Sequence, residues 1–429
     1  MTIPDAPGRL PLLGHTLSVL RDPLAFLTSL PARGDLVQVR LGPVQALVVC
    51  DPGLTRQVLL DDRTFDKGGL LFDRGRELGG NGLALCPHSD HRRQRRLAQP
   101  AFHPSRFPAY ARTMVARATA AAESWRPGTT IELGSEAMTL AVRTAIETMF
   151  SDALAPDALR QSTMDLAVVM KGLYRRMALP PSWERRLTRT RYHQARTRLR
   201  HTLDGVIAQR QASGEDHGDL LSAFLTARDT DGHGLTDTEI SDQVLTFFIA
   251  GADSTAVLLS WALALLAHHP EVQDRVHAEA VLAGSPATYD HLPRLDLTSR
   301  VVAETLRLYP PGWMLTRTVT TDTTLGRHHI PAGTTIVYSP YLIHRRADLH
   351  ESPDEFDPDR PRSDRHAYLP FGAGARKCIA DQFGLTEAVL TLATITSHRR
   401  LVPLSPAMTR PAAAATLNPR RMRMHVTAR

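Results

Sequence analysis

From Thr236 to about His268 the sequence writes one long helix. Thr236-Asp237-Thr238-Glu239 is a capping box, in which the first hydroxyl takes an orphan amide and the glutamate reaches back. About 33 residues at 1.5 Å each make a rod about 50 Å long, enough to cross a whole domain. Val244–Ala267 is nearly all apolar, so a membrane span has to be weighed. Asp253 sits in mid-span and no positive-inside flanks are evident. A buried central helix of a large soluble domain is the better reading. At 429 residues the chain exceeds the usual single domain yet falls short of three. Its 42% hydrophobic and 22% charged residues make a globular balance.

Around that rod the pattern changes twice. Residues 1–35 carry five prolines and read as an extended lead-in, with a short helix at Pro23–Ser29. Leu36–Leu41 and Gln45–Cys50 flank Gly42-Pro43 as a hairpin. Asp51 then caps a helix over 51–60 with Pro52 in its first turn. Glycines crowd 66–84, which reads as a mobile loop with apolar teeth at Leu70, Leu71, Phe72 and Leu78. From His91 to His201 helical spacing dominates, broken at Pro180-Pro181. Arg185–His201 holds seven arginines and reads as a solvated basic helix. A helix over Leu297–Leu308 stops at Pro310-Pro311-Gly312, and strand signals surround the turn at Pro331-Ala332-Gly333. Arg345–Pro370 is a long irregular stretch, uncommon unless functional. The last segment, 401–429, alternates like strand and hairpin.

Three scattered cysteines, Cys50, Cys86 and Cys378, are too few for a disulfide framework or a zinc site and suit a reducing cytosol. No apolar leader follows Met1, so we expect a cytoplasmic protein without a membrane anchor. A formal charge of +7 can attract nucleic acid or an acidic protein, and no nucleic-acid motif is present.

Two stretches carry chemistry. In mid-rod lies Ala250-Gly251-Ala252-Asp253-Ser254-Thr255. Gly251 costs about 1 kcal/mol relative to Ala in a helix interior, and a buried acid beside hydroxyls adds a desolvation penalty. Either alone is usually structural, since a hydroxyl can bond back to the carbonyl four residues earlier. Together they predict a local opening of the helix. The second stretch is Phe371-Gly372-Ala373-Gly374-Ala375-Arg376-Lys377-Cys378-Ile379-Ala380, before a helical run from Asp381. A thiolate there sits at a helix N-terminus beside Arg376 and Lys377, and both features favour S⁻. Most cysteines are merely small buried hydrophobes. A phosphate cradle would need Gly-x-x-x-x-Gly-Lys-[Ser/Thr], which is absent.

The pattern Phe-x-x-Gly-x-Arg-x-Cys resembles the haem-binding loop of the cytochrome P450 family, with Ala380 where the family usually has glycine. Asp253-Ser254 resembles the acid–alcohol pair of the family's oxygen-binding helix, where the alcohol is usually threonine. Glu304-Thr305-Leu306-Arg307 resembles the Glu-x-x-Arg helix, with Arg360 as third partner. His91 and Arg95, four apart on one helix face, match positions over the haem propionates, as do Arg317 and Arg376. The resemblance spans nearly the whole chain, and weaker likenesses such as Trp313-Met314-Leu315-Thr316-Arg317 point to a bacterial terpene-oxidising branch.

The resemblance implies one mainly α domain over 1–429 built around one haem. Residues 36–50, 318–340 and 401–429 give a small β region, and 91–310 and 378–398 are mostly helical. It implies haem b ligated by Cys378, with Phe371 in the same loop. It assigns proton relay to Asp253 and the oxygen-facing hydroxyl to Ser254, with Thr255 as the alternative. A lining of Phe72, Thr246, Phe247, Ala250 and Trp313 suits an apolar substrate, first of all a terpenoid. A polyketide or fatty-acid-like substrate, peroxide-driven turnover, and a haem-thiolate sensor without oxidation stay open. Electrons would come from a separate ferredoxin and ferredoxin reductase, docked through Arg92, Arg93 and Arg96, to a protein acting as a monomer.

Overall fold

The computed structural model describes residues 3–151, 154–178, 189–361 and 367–429. The early helices are α1 (Thr16–Arg21), α2 (Pro23–Ser29), α3 (Pro52–Leu60), α4 (Leu70–Gly79) and α5 (His88–Ala98). The helical body continues with α6 (Phe107–Ser124), α7 (Leu133–Phe150), α8 (Pro156–Ala178), α9 (Arg189–Ser213) and α10 (Leu220–Thr226). The expected rod is α11 (Asp237–His268), with its capping box formed as read. After it come α12 (Pro270–Ala283), α13 (Asp296–Leu308), α14 (Pro340–Ile343) and α15 (Asp381–His398).

The rod is the axle. It packs along α7 and touches α9, α12, α13 and α15. Four-fifths of its most apolar window is buried inside the protein (78%), so its hydrophobicity is spent on core rather than lipid. Its C-terminal half joins one apolar core with α6, α12, α13 and α15, and its N-terminal half joins a second with α7, α9 and α10.

The β region is small. Strands β1 (Leu36–Leu41) and β2 (Val44–Val49) form the expected hairpin, Leu36 opposite Val49. β3 (Phe65–Asp66), β5 (Leu315–Val319) and β8 (Thr335–Tyr338) extend it in the order β1-β2-β8-β5-β3. The β2–β8 pairing is parallel, Ala46 opposite Thr335, so it joins segments almost 290 residues apart. β4 (Thr130–Glu132) pairs with β12 (Arg423–Ala428), which pairs with β9 (Arg399–Pro403). β6 (Thr323–Leu325) with β7 (His328–Ile330), and β10 (Pro411–Ala413) with β11 (Leu417–Pro419), make two small hairpins.

Two expectations need correction. The glycine-rich segment 66–84 is not a loop throughout, because α4 occupies its centre. Gly69 and Gly80 flank that helix in left-handed conformations, and Gly75 lets it close on Leu85, so the glycines serve caps and contact. The basic segment is not simply solvated: Arg198 pairs with Asp165 and Arg200 with Asp242. Pro180-Pro181, Arg185 and Arg186 lie outside the described residues.

Candidate active site

One cavity gathers most of the residues singled out in the sequence. Its walls come from α4, α5, α7, the middle of α11, β5, the 370–380 loop and the start of α15. Cys378, Phe371, Arg376, His91, Arg95, Arg317, Ser254 and Thr255 all border it.

The cysteine loop is held from both ends. The Cys378 amide donates to the Phe371 carbonyl (2.9 Å), closing it. Gly374 has φ +69°, and a Cβ there would lie 2.2 Å from the Leu59 carbonyl oxygen, so only glycine lets the loop seat on α3. The sulfur is open to the cavity, whereas Cys50 and Cys86 are buried. The cavity is interior, so burial pushes the Cys378 thiol above its usual pKa, against the pull of the Ala380 amide and Arg95. The expected cationic help from neighbours is spent elsewhere. Lys377 Nζ pairs with Asp381 (2.5 Å), and Arg376 turns to Asp62 and Asp66 (both 2.8 Å). A thiolate here therefore needs a metal, since coordination removes the thiol proton outright.

A group of cations lines another part of the wall, Arg317 and Arg376 buried and Lys67 and Arg95 half-buried. Arg317 is 3% exposed, donates to the Thr316 carbonyl and the Tyr338 hydroxyl, and lies near the Phe72 and Tyr338 rings. Among the described residues it has no carboxylate partner. Arg95 Nη1 donates to the Lys377 carbonyl (2.6 Å) and is likewise unpaired by any acid. Lys67, which sequence reasoning missed, donates to the Ala84 carbonyl (2.7 Å). Burial, with the charges of Arg317 and Arg376, pushes its pKa down to about 7. Arg376 completes the set, donating to the Cys86 carbonyl beside its two aspartates. Four cations thus face two carboxylates. The surplus suits the two propionates of a haem, which makes these residues a fit for that cofactor. His91 adds no charge: burial, Arg376 and Lys67 push its pKa to about 3, so it is a neutral donor rather than a cation.

The expected opening in α11 is absent, and the helix runs unbroken through Gly251. Instead the Ser254 hydroxyl donates to the Ala250 carbonyl four residues back (2.7 Å). Three successive side chains take three directions. Ser254 borders the cavity. Thr255 borders it too, but its hydroxyl lies near Glu387 on α15, a buried acid whose pKa burial raises to about 8. Asp253 turns away from the cavity, is 3% exposed, and accepts from the Thr416 hydroxyl (2.7 Å) in the β10–β11 turn. Burial raises its pKa to about 6. Thr416 is held in turn by Asn418 (2.9 Å). Neither Thr416 nor Glu387 carries a local sequence signal, since each is recruited by a distant fold contact.

Glu304, Arg307 and Arg360 do come together. Arg307 grips Glu304 through two bonds (2.7 and 2.8 Å), and Arg360 reaches the same carboxylate at 3.3 Å. Arg307 also donates to the carbonyls of His344, Pro353 and Glu355. His344, a further residue missed in the sequence, bonds the Arg307 carbonyl through Nδ1 and accepts from the Leu369 amide (2.8 Å). The triad is thereby linked to the strand of chain entering the cysteine loop.

Phe72, Thr246, Phe247 and Ala250 line the cavity. Trp313 does not. It sits in the core beside the β1–β2 sheet, 5% exposed, with Nε1 on the Ala414 carbonyl (2.9 Å), and its neighbours Pro311, Gly312 and Leu315 reach the cavity instead. Arg93 also leaves its expected place, since it pairs with Asp229 and Glu239 and donates to the Gly234 carbonyl.

The family model for Cytochrome P450 matches residues 4–420. The chain is 43% identical to a pentalenene oxygenase of Streptomyces avermitilis, over 99% of this chain and 97% of that one. It is 45% identical to a cyclooctat-9-en-7-ol 5-monooxygenase of Streptomyces melanosporofaciens, over 94% and 90%. A cyclooctatin synthase of the same organism is 41% identical, over 98% and 94%.

Proposed function

The chain belongs to the cytochrome P450 family and is a haem-dependent monooxygenase, and we propose that it oxidises a cyclic terpenoid. The observation that carries this reading is the cavity lining. Phe72, Met149, Leu220, Phe247, Leu258 and Leu315 surround a space whose few hydroxyls sit on Thr148, Thr246, Ser254 and Thr255. Such a wall holds a hydrocarbon by shape, and with the cavity's cations assigned to the haem propionates it leaves no free charged anchor for a carboxylate-bearing chain. The terpene-oxidising relatives support the same class.

When bound, the haem supplies the oxygen-activating chemistry, with Cys378 as the thiolate that favours O–O cleavage. In this reading the cofactor is haem b, with Arg95, Arg317, Arg376 and Lys67 holding its propionates and His91 donating as a neutral imidazole. The protein's own work is to exclude water, orient the substrate and deliver protons. Asp253 suits proton delivery: its pKa of about 6 leaves it able to take and give a proton near neutrality. It reaches the Thr416 hydroxyl, while Ser254 presents the oxygen-facing hydroxyl. The electron donor is an acidic ferredoxin with its reductase, and the protein is cytoplasmic. A broad open groove lined by Arg92, Arg95, Arg96 and Arg106 beside Gly374 and Ala375 offers the basic landing surface.

The test is a panel of cyclic terpenes, fatty acids and polyketide fragments, read by spin-state change and then by product mass. A cyclic terpene should shift the spectrum and gain one oxygen atom with ferredoxin and reductase. A response confined to fatty acids overturns the substrate class. Cys378→Ser should lose the long-wavelength carbon monoxide band, and Cys50→Ser and Cys86→Ser should keep it. Asp253→Asn should slow turnover by about 10²–10⁴-fold without altering that band.

A further inference from the structure

A buried acid that gives up protons has to be recharged through whatever touches it. Asp253 is 3% exposed and does not border the cavity. Its one hydrogen-bond partner among the described residues is the Thr416 hydroxyl, which donates to Oδ2 (2.7 Å). Only burial and that hydroxyl act on its ionisation. Charged groups on the neighbouring elements are engaged elsewhere: Glu77 of α4 with Arg176 of α8, Glu304 with Arg307 on α13, and Glu387 of α15 beside Thr255. In this orientation the carboxyl can load a proton, but it does not face the space where one is used.

The hydroxyl is aimed by its surroundings. Asn418 Nδ2 donates to Thr416 Oγ1 (2.9 Å), which fills one acceptor site and leaves the hydroxyl hydrogen to Asp253. A second acceptor site stays free. Thr416 and Asn418 are half-buried, and the chain is fully exposed by Arg420 and Arg421. Water thus reaches the outer side of a hydroxyl whose inner side touches a buried acid. The turn itself is clamped in place. Trp261, about two turns further along α11, donates Nε1 to the Leu417 carbonyl (2.8 Å). The Leu417 amide donates to the Pro311 carbonyl (3.3 Å), and Trp313 Nε1 to the Ala414 carbonyl (2.9 Å). These anchors hold Thr416 opposite Asp253 without help from the Asp253 bond, and they give Trp313 a task away from the cavity.

We propose that Thr416 is the positioning residue through which Asp253 is recharged with solvent protons. The proposal rests on the reading of Asp253 as the proton-delivering acid. The hydroxyl passes its hydrogen to Asp253 Oδ2 and takes a replacement from a protonated water outside. It ends unchanged, and the carboxylate ends as the neutral acid. The loaded carboxyl then swings off Thr416 toward the cavity and returns ionised.

Substitutions at 416 test this in the haem-loaded enzyme, with ferredoxin, reductase and a cyclic terpene chosen by spin-state change. Thr416→Val keeps the shape and removes the hydroxyl. It should slow product formation by about tenfold or more and keep the carbon monoxide band. Thr416→Ser should restore the wild-type rate, and Asn418→Ala, which only frees the hydroxyl to turn, should fall between. The two residues act in series, so Asp253→Asn with Thr416→Val should be no slower than Asp253→Asn alone. A second reading needs neither substrate nor donor: infrared titration of the Asp253 carboxyl, taken as the difference from Asp253→Asn. Thr416→Val should move its pKa up, because the hydroxyl bond is what opposes burial. Thr416→Val turning over as wild type, slowing Asp253→Asn by its full factor, or leaving the carboxyl titration unmoved overturns the proposal and leaves Asp253 its role. Equal slowing by Thr416→Val and Thr416→Ser makes 416 a packing site and also overturns it. Asp253→Asn turning over as wild type overturns both this proposal and the reading of Asp253.

Discussion

Two groups of charge inside this protein have opposite architecture. The Glu304–Arg307–Arg360 triad is closed: the carboxylate meets both arginines, and the spare guanidinium hydrogens meet backbone carbonyls. The cations of the cavity are open: Lys67, Arg95 and Arg317 touch carbonyls, a hydroxyl and aromatic rings, but no acid among the described residues. A closed buried network holds structure together, because each ion's lost hydration is replaced within the protein. An open one is a deficit that a ligand must fill. The difference separates residues that shape the fold from residues that wait for a cofactor.

The largest effect should come from breaking the closed group. Removing one partner of a buried ion pair typically costs about 3–5 kcal/mol, because the other charge is left stranded. Glu304→Gln should therefore leave little folded haem-loaded protein, measured by melting temperature and haem-to-protein ratio. A variant that melts like wild type would dissolve the contrast.

Arg317→Leu should behave in the opposite way. Without cofactor it should be as stable as wild type or more so, since it removes an unpaired buried charge. With cofactor it should lose haem faster to a competing acceptor, by about 10–100-fold for a charge-assisted bond worth about 1.5–3 kcal/mol. Equal destabilisation of both forms would make Arg317 a structural residue.

Lys67 sharpens the comparison through pH. Folding lowers its pKa from 10.5 to about 7. Between those values the unfolded chain holds a proton that the folded, cofactor-free protein lacks, so stability rises with pH across that window. Below pH 7 the folded protein bears the full cost of a buried ammonium. Urea melts of the cofactor-free protein from pH 7 to 10 should show the rise, and Lys67→Met should flatten it. An unchanged slope would place the ammonium in water.

The smallest effect is expected on the surface. Arg93 is closed by Asp229 and Glu239, while Arg92 and Arg96 border the open groove. Reversing Arg92 and Arg96 should raise the donor KM a few-fold, with less salt dependence than wild type. Arg93→Gln should leave the salt dependence of reduction as it is and lower the melting temperature slightly.

Local grammar made part of this legible beforehand. The capping box and apolar run placed α11 to within a residue, and Gly42-Pro43 placed the β1–β2 hairpin, because those signals act over a few bonds. The spacing of Glu304 and Arg307 put them on one helix face, and the glycines around Cys378 marked a loop. Direction and company were not legible. Trp313 looked like cavity lining and went to the core, since the β8 and β10–β11 segments that pack around it lie far along the chain. Asp253 and Ser254 are neighbours in sequence, yet one turns to Thr416 and the other to the cavity, because a helix rotates about 100° per residue.

What the chain determined alone is therefore the axle, the hairpins and the residue types of the site, all of them consequences of periodicity and short-range bonding. Only the tertiary structure decided which charges would be satisfied. Arg376 and Arg317 read alike as cations in the sequence. One is paired with Asp62 and Asp66, about 310 residues away, and the other meets no acid among the described residues. Electrostatic state depends on what the fold brings within a few ångströms and how much water it removes, and neither quantity is local.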